Sequence, residues 1–280
     1  AESMILDLCR PLALVRRNAP LVQCITNFVT VNDCANIILA AGGSPSMAHD
    51  VREAAEAAEG ANAVVCNMGA IEDVPSMVAA GQRANQLHKP VVLDPVAAGG
   101  TALRREGSAE LLEKVHFTAI RGNASEIRYL AGQQTTGSGV DVSALDAITE
   151  ENLPMAADMV KALAKKIGGV IAVSGVLDLV SDGETVVVLR NGCATMARIT
   201  GSGCMLTSLI GAFCGADPDE PLAAVCSAMG VMGVCGELAE KRRLQNHTGN
   251  ATFRTDLIDA VFNLTEQQLR EGLRYEIYQG

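Results

Sequence analysis

Pro90-Val-Val-Leu-Asp-Pro95 decides the fold. Three consecutive apolar residues with no polar position between them describe a strand covered on both faces, since a strand with one wet face alternates apolar and polar side chains. Strands of this kind belong to parallel sheets sandwiched between helices. The run ends in an aspartate, and in open α/β sheets ligands sit outside the carboxyl ends of the strands. One short segment therefore predicts an architecture and the rim at which chemistry should be sought. A carboxylate at the end of a buried strand costs free energy to desolvate unless a cation or donors meet it. The competing reading of Asp94 is a cap or turn residue ahead of Pro95.

Runs of similar composition occur at Leu21 to Thr26, Ala63 to Asn67, Phe117 to Arg121, Gly169 to Ser174, Leu177 to Ser181 and Thr185 to Leu189. Helical stretches fall at about 31–42, 51–59, 74–87, 107–114, 124–131, 152–167, 204–215, 221–240 and 252–272. The alternation predicts an α/β fold, a single domain over residues 1–280, with a largely parallel central sheet and helices on both faces. Ser181-Asp-Gly-Glu184 between two strand-like runs predicts an antiparallel hairpin at the sheet edge. The C-terminal third reads as all-helical, and the polar stretch Gln133 to Glu151 as an exposed excursion. The strand ends read Thr26-Asn27, Asn67-Met-Gly69, Asp94-Pro95, Arg121-Gly-Asn123 and Ser174-Gly175, each polar or glycine after an apolar run.

A second feature is Arg198-Ile-Thr-Gly-Ser-Gly-Cys-Met-Leu206. Thr200 to Gly203 predict a tight turn, and the residues from Cys204 have the apolar spacing of a buried helix. Free N–H groups and the positive end of a helix dipole make such a turn an anion site, which glycine leaves open to a phosphate. Cys204 lies in the first turn, where a thiolate is favoured. The alternative is a buried cysteine behind an ordinary turn. In Arg121-Gly-Asn-Ala-Ser-Glu126, Asn123 and Glu126 have the spacing of a capping box. The same Glu126, with Asp94, also suits Mg²⁺ beside a nucleotide phosphate, held directly or through water, while Arg121 supplies charge to a transferring phosphoryl group.

Composition narrows the partners. The 280 residues are 49% hydrophobic and 19% charged, with a formal net charge of −10 and 3% aromatics. The acidic balance and the few aromatics argue against nucleic acid, whose backbone needs a basic face. The nine cysteines include no C-x-x-C pair, and the four histidines offer no zinc spacing. Most cysteines lie in apolar runs, as expected of reduced core residues in a cytoplasmic protein. Nothing at the N-terminus resembles a secretion signal, and no uncharged apolar run predicts a membrane span. No Gly-Lys pair occurs anywhere, so a P-loop is absent, and Gly201-x-Gly203 lacks the third glycine of a dinucleotide fingerprint.

Five blocks carry a family resemblance: Cys24 to Asn36, Gly43 to Ala48, Val92 to Val96, Ile120 to Glu126 and Thr200 to Cys204. The chain resembles the ribokinase-like superfamily and, within it, the hydroxyethylthiazole kinases, over nearly its whole length. The resemblance implies a ribokinase-like fold and an ATP- and Mg²⁺-dependent phosphorylation of a small thiazole alcohol at its primary hydroxyl. It places Arg121 and Ser174 at ATP, to which Asn123 and Gly203 are added here. Asp94 and Glu126 fall near the metal and phosphates. Met47 and Gly201 fall on the thiazole, with Asn27 nearby. Most ribokinase-like enzymes have aspartate after the glycine turn; this subfamily has cysteine, and Cys204 takes that place as the catalytic candidate. The resemblance also implies a homotrimer with intersubunit sites, so that the 26–47 segment and the 201–204 turn facing one site come from different chains. The alternatives are a nucleotide-dependent dehydratase of the same fold, in which aspartate is expected at 204, a kinase for another small alcohol such as a hydroxymethylpyrimidine, and a non-catalytic ligand-binding protein.

Overall fold

The computed structural model describes residues 6–134 and 145–280. Its sheet has nine strands among the described residues, in the order β2-β1-β3-β4-β5-β6-β7-β8-β9. In chain order these are β1 Leu21–Ile25, β2 Ser44–Ser46, β3 Ala63–Asn67, β4 Val91–Asp94, β5 Ala119–Asn123, β6 Val170–Ser174, β7 Asp178–Ser181, β8 Val186–Leu189 and β9 Tyr275–Ile277. The first six run parallel, and β7 to β9 add on antiparallel. The helices are α1 Arg10–Asn18, α2 Val31–Ala41, α3 Ala54–Gly60, α4 Val74–Gln86, α5 Ala102–Lys114, α6 Ala124–Gln134, α7 Leu153–Ile167, α8 Ser202–Ala216, α9 Pro221–Asn246, α10 Asn250–Asn263 and α11 Glu266–Gly272.

The two-residue period of the strands divides the core. Val65, Val92, Ala119, Val170 and Ala172 face one side, against α1, α2, α8, α9 and α10. Val64, Cys66, Val91, Leu93, Ile120, Ile171 and Val173 face the other, against α3 to α7. With apolar residues on both faces, each fully buried Val, Leu or Ile contributes roughly 1.5–3 kcal/mol, and the uninterrupted strand pattern follows. Helix α9 is long and apolar enough to cross a bilayer by composition, yet 89% of its most apolar window is buried inside the fold. It is a core helix.

The predicted parallel order and the hairpin are both present, and three details differ. Two edge strands, β2 and β9, escaped the sequence reading. Ser44-Pro-Ser46 has no strand composition, and Pro45 is tolerated because β2 pairs on one side only. Tyr275–Ile277 alternates and pairs with β8, so the C-terminal third is not all-helical and the hairpin is not the edge. The helix expected over 252–272 breaks at Leu264, which is extended, because Thr265 starts α11 with a capping box to Gln268. The predicted excursion at 133–151 lies mostly outside the described residues.

Candidate active site

Alternation along the strands aims a polar row at α8. Asn67, Asp94, Arg121 and Ser174 share the parity of Val65, Val92, Ala119 and Ala172, which face α8 and α9. Asn67 and Asp94 are register partners at the carboxyl ends of β3 and β4. Asp94 is fully buried and Arg121 nearly so, joined at 2.6 Å between Nη2 and Oδ2. Thr207, in the second turn of α8, closes the group: its Oγ1 accepts from Arg121 Nε at 3.0 Å and donates to Asp94 Oδ2 at 2.9 Å. The remaining arm of the guanidinium, Nη1, donates to Ser174 Oγ at 2.9 Å, which leaves that hydroxyl's own proton available to donate.

The ion pair is held by its surroundings. Burial pushes the Asp94 carboxyl up, Arg121 pulls it back and Glu126 adds to the rise. Desolvation works against the Arg121 guanidinium, but the carboxylates of Asp94 and Glu126 outweigh it and its pKa rises. The guanidinium is therefore a fixed positive charge at the base of the rim. Asp94 Oδ1 has no hydrogen-bond partner among the described residues.

Above the guanidinium sits the start of α8. Gly201 holds φ +87°, and a Cβ there would stand 2.5 Å from Thr30 Cγ2. A Cβ on Gly203 would stand 2.9 Å from Arg121 Nη2. Glycine at 203 thus lets the first turn of the helix descend onto the charge. No side chain caps α8, so its first N–H groups face the rim with the positive end of the dipole. The glycine turn and the strand-end ion pair form one centre, within one chain.

Cys204, half-buried, meets the same row. Its Sγ lies 3.2 Å from Asn67 Nδ2 and 3.5 Å from Asn27 Nδ2. Asn27 follows β1 and, with Thr30, brings the 26–30 loop against the 201–204 turn of the same chain. The expectation set the 26–47 segment and the turn on different subunits; Asn27 and Thr30 instead meet the turn within one chain. Met47 stands at the same rim one strand further out, half-buried directly after β2.

Asn123 and Glu126 form the predicted capping box: Asn123 Oδ1 accepts from Glu126 N at 2.8 Å and Glu126 Oε1 from Asn123 N at 2.9 Å. The other carboxylate oxygen accepts from Ala97 N at 2.7 Å and ties down the loop after β4. Each oxygen keeps a second lone pair. Asn67 and Thr207 are the members that the sequence reading left out. Strand parity with Asp94 and the four-residue step from Gly203 along α8 were the signals for them.

The sequence profile of the Hydroxyethylthiazole kinase family matches residues 12–267. The chain belongs to this family. A hydroxyethylthiazole kinase of Clostridium acetobutylicum is 44% identical over 266 residues, 94% of this chain and 97% of that protein. One from Clostridium beijerinckii is 46% identical over 253 residues, 90% of each. The solved hydroxyethylthiazole kinase of Pyrococcus horikoshii superposes with a TM-score of 0.85 at 34% identity, covering 97% of this chain and 99% of that one. The pyridoxal kinase of Staphylococcus aureus, at a TM-score of 0.54 and 16% identity over 77% of this chain and 87% of that one, shares the fold.

One further carboxylate borders the site of this hydroxyethylthiazole kinase family member. Asp178 opens β7, and its Oδ1 accepts from Gly175 N at 2.9 Å, closing the turn after Ser174. Burial pushes its carboxyl up to about 7, against the pull of the Gly175 N–H and Arg121. Because the folded value lies above the ordinary 3.8, Asp178 favours the native state fully below about pH 4 and loses that contribution as pH rises to about 7. The interval corresponds to roughly 4 kcal/mol. Asp178→Asn keeps an acceptor for Gly175 and removes the titration. Urea denaturation at pH 5 and pH 8 is expected to show the variant gaining on the wild type by a few kcal/mol at the higher pH; equal differences at both pH values would refute the assignment.

Proposed function

We propose that the chain transfers the γ-phosphoryl group of ATP to the primary hydroxyl of 4-methyl-5-(2-hydroxyethyl)thiazole. The observation that carries this reading is the descent of the α8 N-terminus onto Arg121, with Gly203 as the point of contact. Phosphoryl transfer through a loose transition state needs positioning and charge neutralisation more than strong base catalysis. The uncapped N–H groups of α8 and the Arg121 guanidinium supply both to the equatorial oxygens. Ser174 offers its hydroxyl to the nucleotide. In this reading the substrate hydroxyl approaches Cys204, whose sulfur, as a thiolate, takes the alcohol proton as the new O–P bond forms and the bond to ADP breaks. Met47 offers a polarizable thioether to a heteroaromatic ring.

Magnesium fits the residues present. Among the described residues no three His, Cys, Asp or Glu converge into a cage, and Mg²⁺ beside nucleotide phosphates needs none, since one or two carboxylates and several waters suffice. Glu126, with a spare lone pair on each oxygen, and Asp94, with its unpartnered Oδ1, would hold it. The ion would neutralise charge between the phosphates. We also place the enzyme in the cytoplasm, on the strength of its nine unpaired cysteines, and read it as one domain and as a homotrimer. Phe28 at 86% and Val29 at 57% exposure, directly after Asn27, support a subunit contact beside the site.

Incubation with Mg-ATP and a panel of small alcohols, following ADP release, tests the proposal. Turnover is expected with the thiazole alcohol and not with a hydroxymethylpyrimidine. ADP release only with the pyrimidine would reassign the substrate, and none with any alcohol would end the kinase reading.

A further inference from the structure

Two amides beside Cys204 have their orientations settled by backbone donors. Asn67 Oδ1 accepts from Gly69 N at 2.8 Å, and an N–H can only donate, so the amide's other end is its NH₂. That NH₂ faces Cys204 Sγ at 3.2 Å and Asp94 Oδ2 at 3.5 Å. Asn27 is locked in the same way. Its Oδ1 accepts from the backbone N of Val29 and of Thr30, both at 3.1 Å, which turns its NH₂ to Asn67 Oδ1 at 3.2 Å and to Cys204 Sγ at 3.5 Å. The sulfur is thus met by two groups that can only donate.

We propose that Asn67 is the positioning residue for Cys204: with Asn27 it forms a two-amide clamp that fixes the sulfur as a hydrogen-bond acceptor. A proton taken up by that sulfur comes from and stays on the side away from β1 and β3, the open side of the rim. The clamp has a second consequence. The two N–H bonds of Asn67 are divided between the sulfur and the Asp94 carboxylate, so one neutral group stands between two atoms that can both carry negative charge. Asn67 is itself almost fully buried, and its four polar contacts use both ends of the amide. The role of Asn67 in turnover rests on the kinase reading above. Its effect on the sulfur does not, because hydrogen bonds to a charged acceptor act on the thiol's reactivity without any substrate bound.

The experiment follows both properties in Asn67→Ala and Asn67→Ser, the latter keeping a short donor. Iodoacetamide labelling, read at each cysteine by peptide mass spectrometry, compares Cys204 with Cys9 and Cys193, the other partly exposed thiols. In Asn67→Ala, labelling of Cys204 is expected to slow by about tenfold, the scale of one lost hydrogen bond to a charged group, with Cys9 and Cys193 unchanged. The kcat is expected to fall by a similar factor while KM for ATP stays within about twofold, and Asn67→Ser is expected to recover part of both. Unchanged labelling of Cys204, or a change shared equally by all three thiols in both variants, would overturn the proposal. A selective labelling effect in a protein without kinase activity would retain the clamp and discard the function.

Discussion

Arg121→Met is expected to lower kcat/KM by about 10³-fold, the scale of removing a fixed cation from a transferring phosphoryl group, and to destabilise the fold by about 3–5 kcal/mol. The two losses have different origins. Activity falls because the charge beneath Gly203 is gone and Ser174 loses its partner. Stability falls because Asp94, fully buried, loses the 2.6 Å contact that balances its desolvation. The double variant Arg121→Met with Asp94→Leu separates them. Removing both members of a buried pair is often neutral where removing one is not, so urea denaturation of the double variant is expected to recover most of the lost stability while ADP release stays as low as in Arg121→Met or falls further, since Asp94 is also a proposed Mg²⁺ ligand. Full activity in either variant would show that the ion pair is only structural.

The ion pair also shows what a sequence makes legible. Val91, Val92 and Leu93 are apolar because both faces of β4 are covered, and that alone yields a buried parallel strand ending in Asp94. Arg121 and Ser174 follow by the same logic, since each ends or nearly ends an apolar run. Gly201 and Gly203 are legible because a turn that must take φ +87° and then pass close over a guanidinium admits no Cβ. Other features depend on the folded molecule. Ser44-Pro-Ser46 becomes a strand only because β1 offers its edge. Thr207 reads as a polar residue in a buried helix until Asp94 and Arg121 are placed beneath it. Asn67 stood at a strand end, but its importance lies in facing Cys204, 137 residues away in the chain. Glu126 carried two readings; the structure realises the cap and adds the bond to Ala97.

Cys204→Ala is expected to reduce kcat by about 10²-fold or more, the lower part of the range for removing a positioned proton acceptor, with KM for ATP nearly unchanged. The nucleotide contacts proposed for Arg121, Ser174 and the α8 N–H groups do not pass through the sulfur, which explains the expected indifference of KM. Folding is expected to change little: Cys204 is half-exposed and alanine suits the first turn of a helix. The variant leaves the NH₂ groups of Asn67 and Asn27 without the sulfur, yet each retains another acceptor, Asp94 Oδ2 and Asn67 Oδ1 respectively. Steady-state kinetics at saturating thiazole alcohol give kcat directly, and a parallel titration of ATP gives its KM. A fall in kcat alone assigns the sulfur to the chemical step. An unchanged kcat would mean that the helix N-terminus and Arg121 drive the transfer by position and charge, with the proton leaving to water or to the phosphate itself. A fall in kcat matched by a rise in KM for ATP would place Cys204 in nucleotide binding instead.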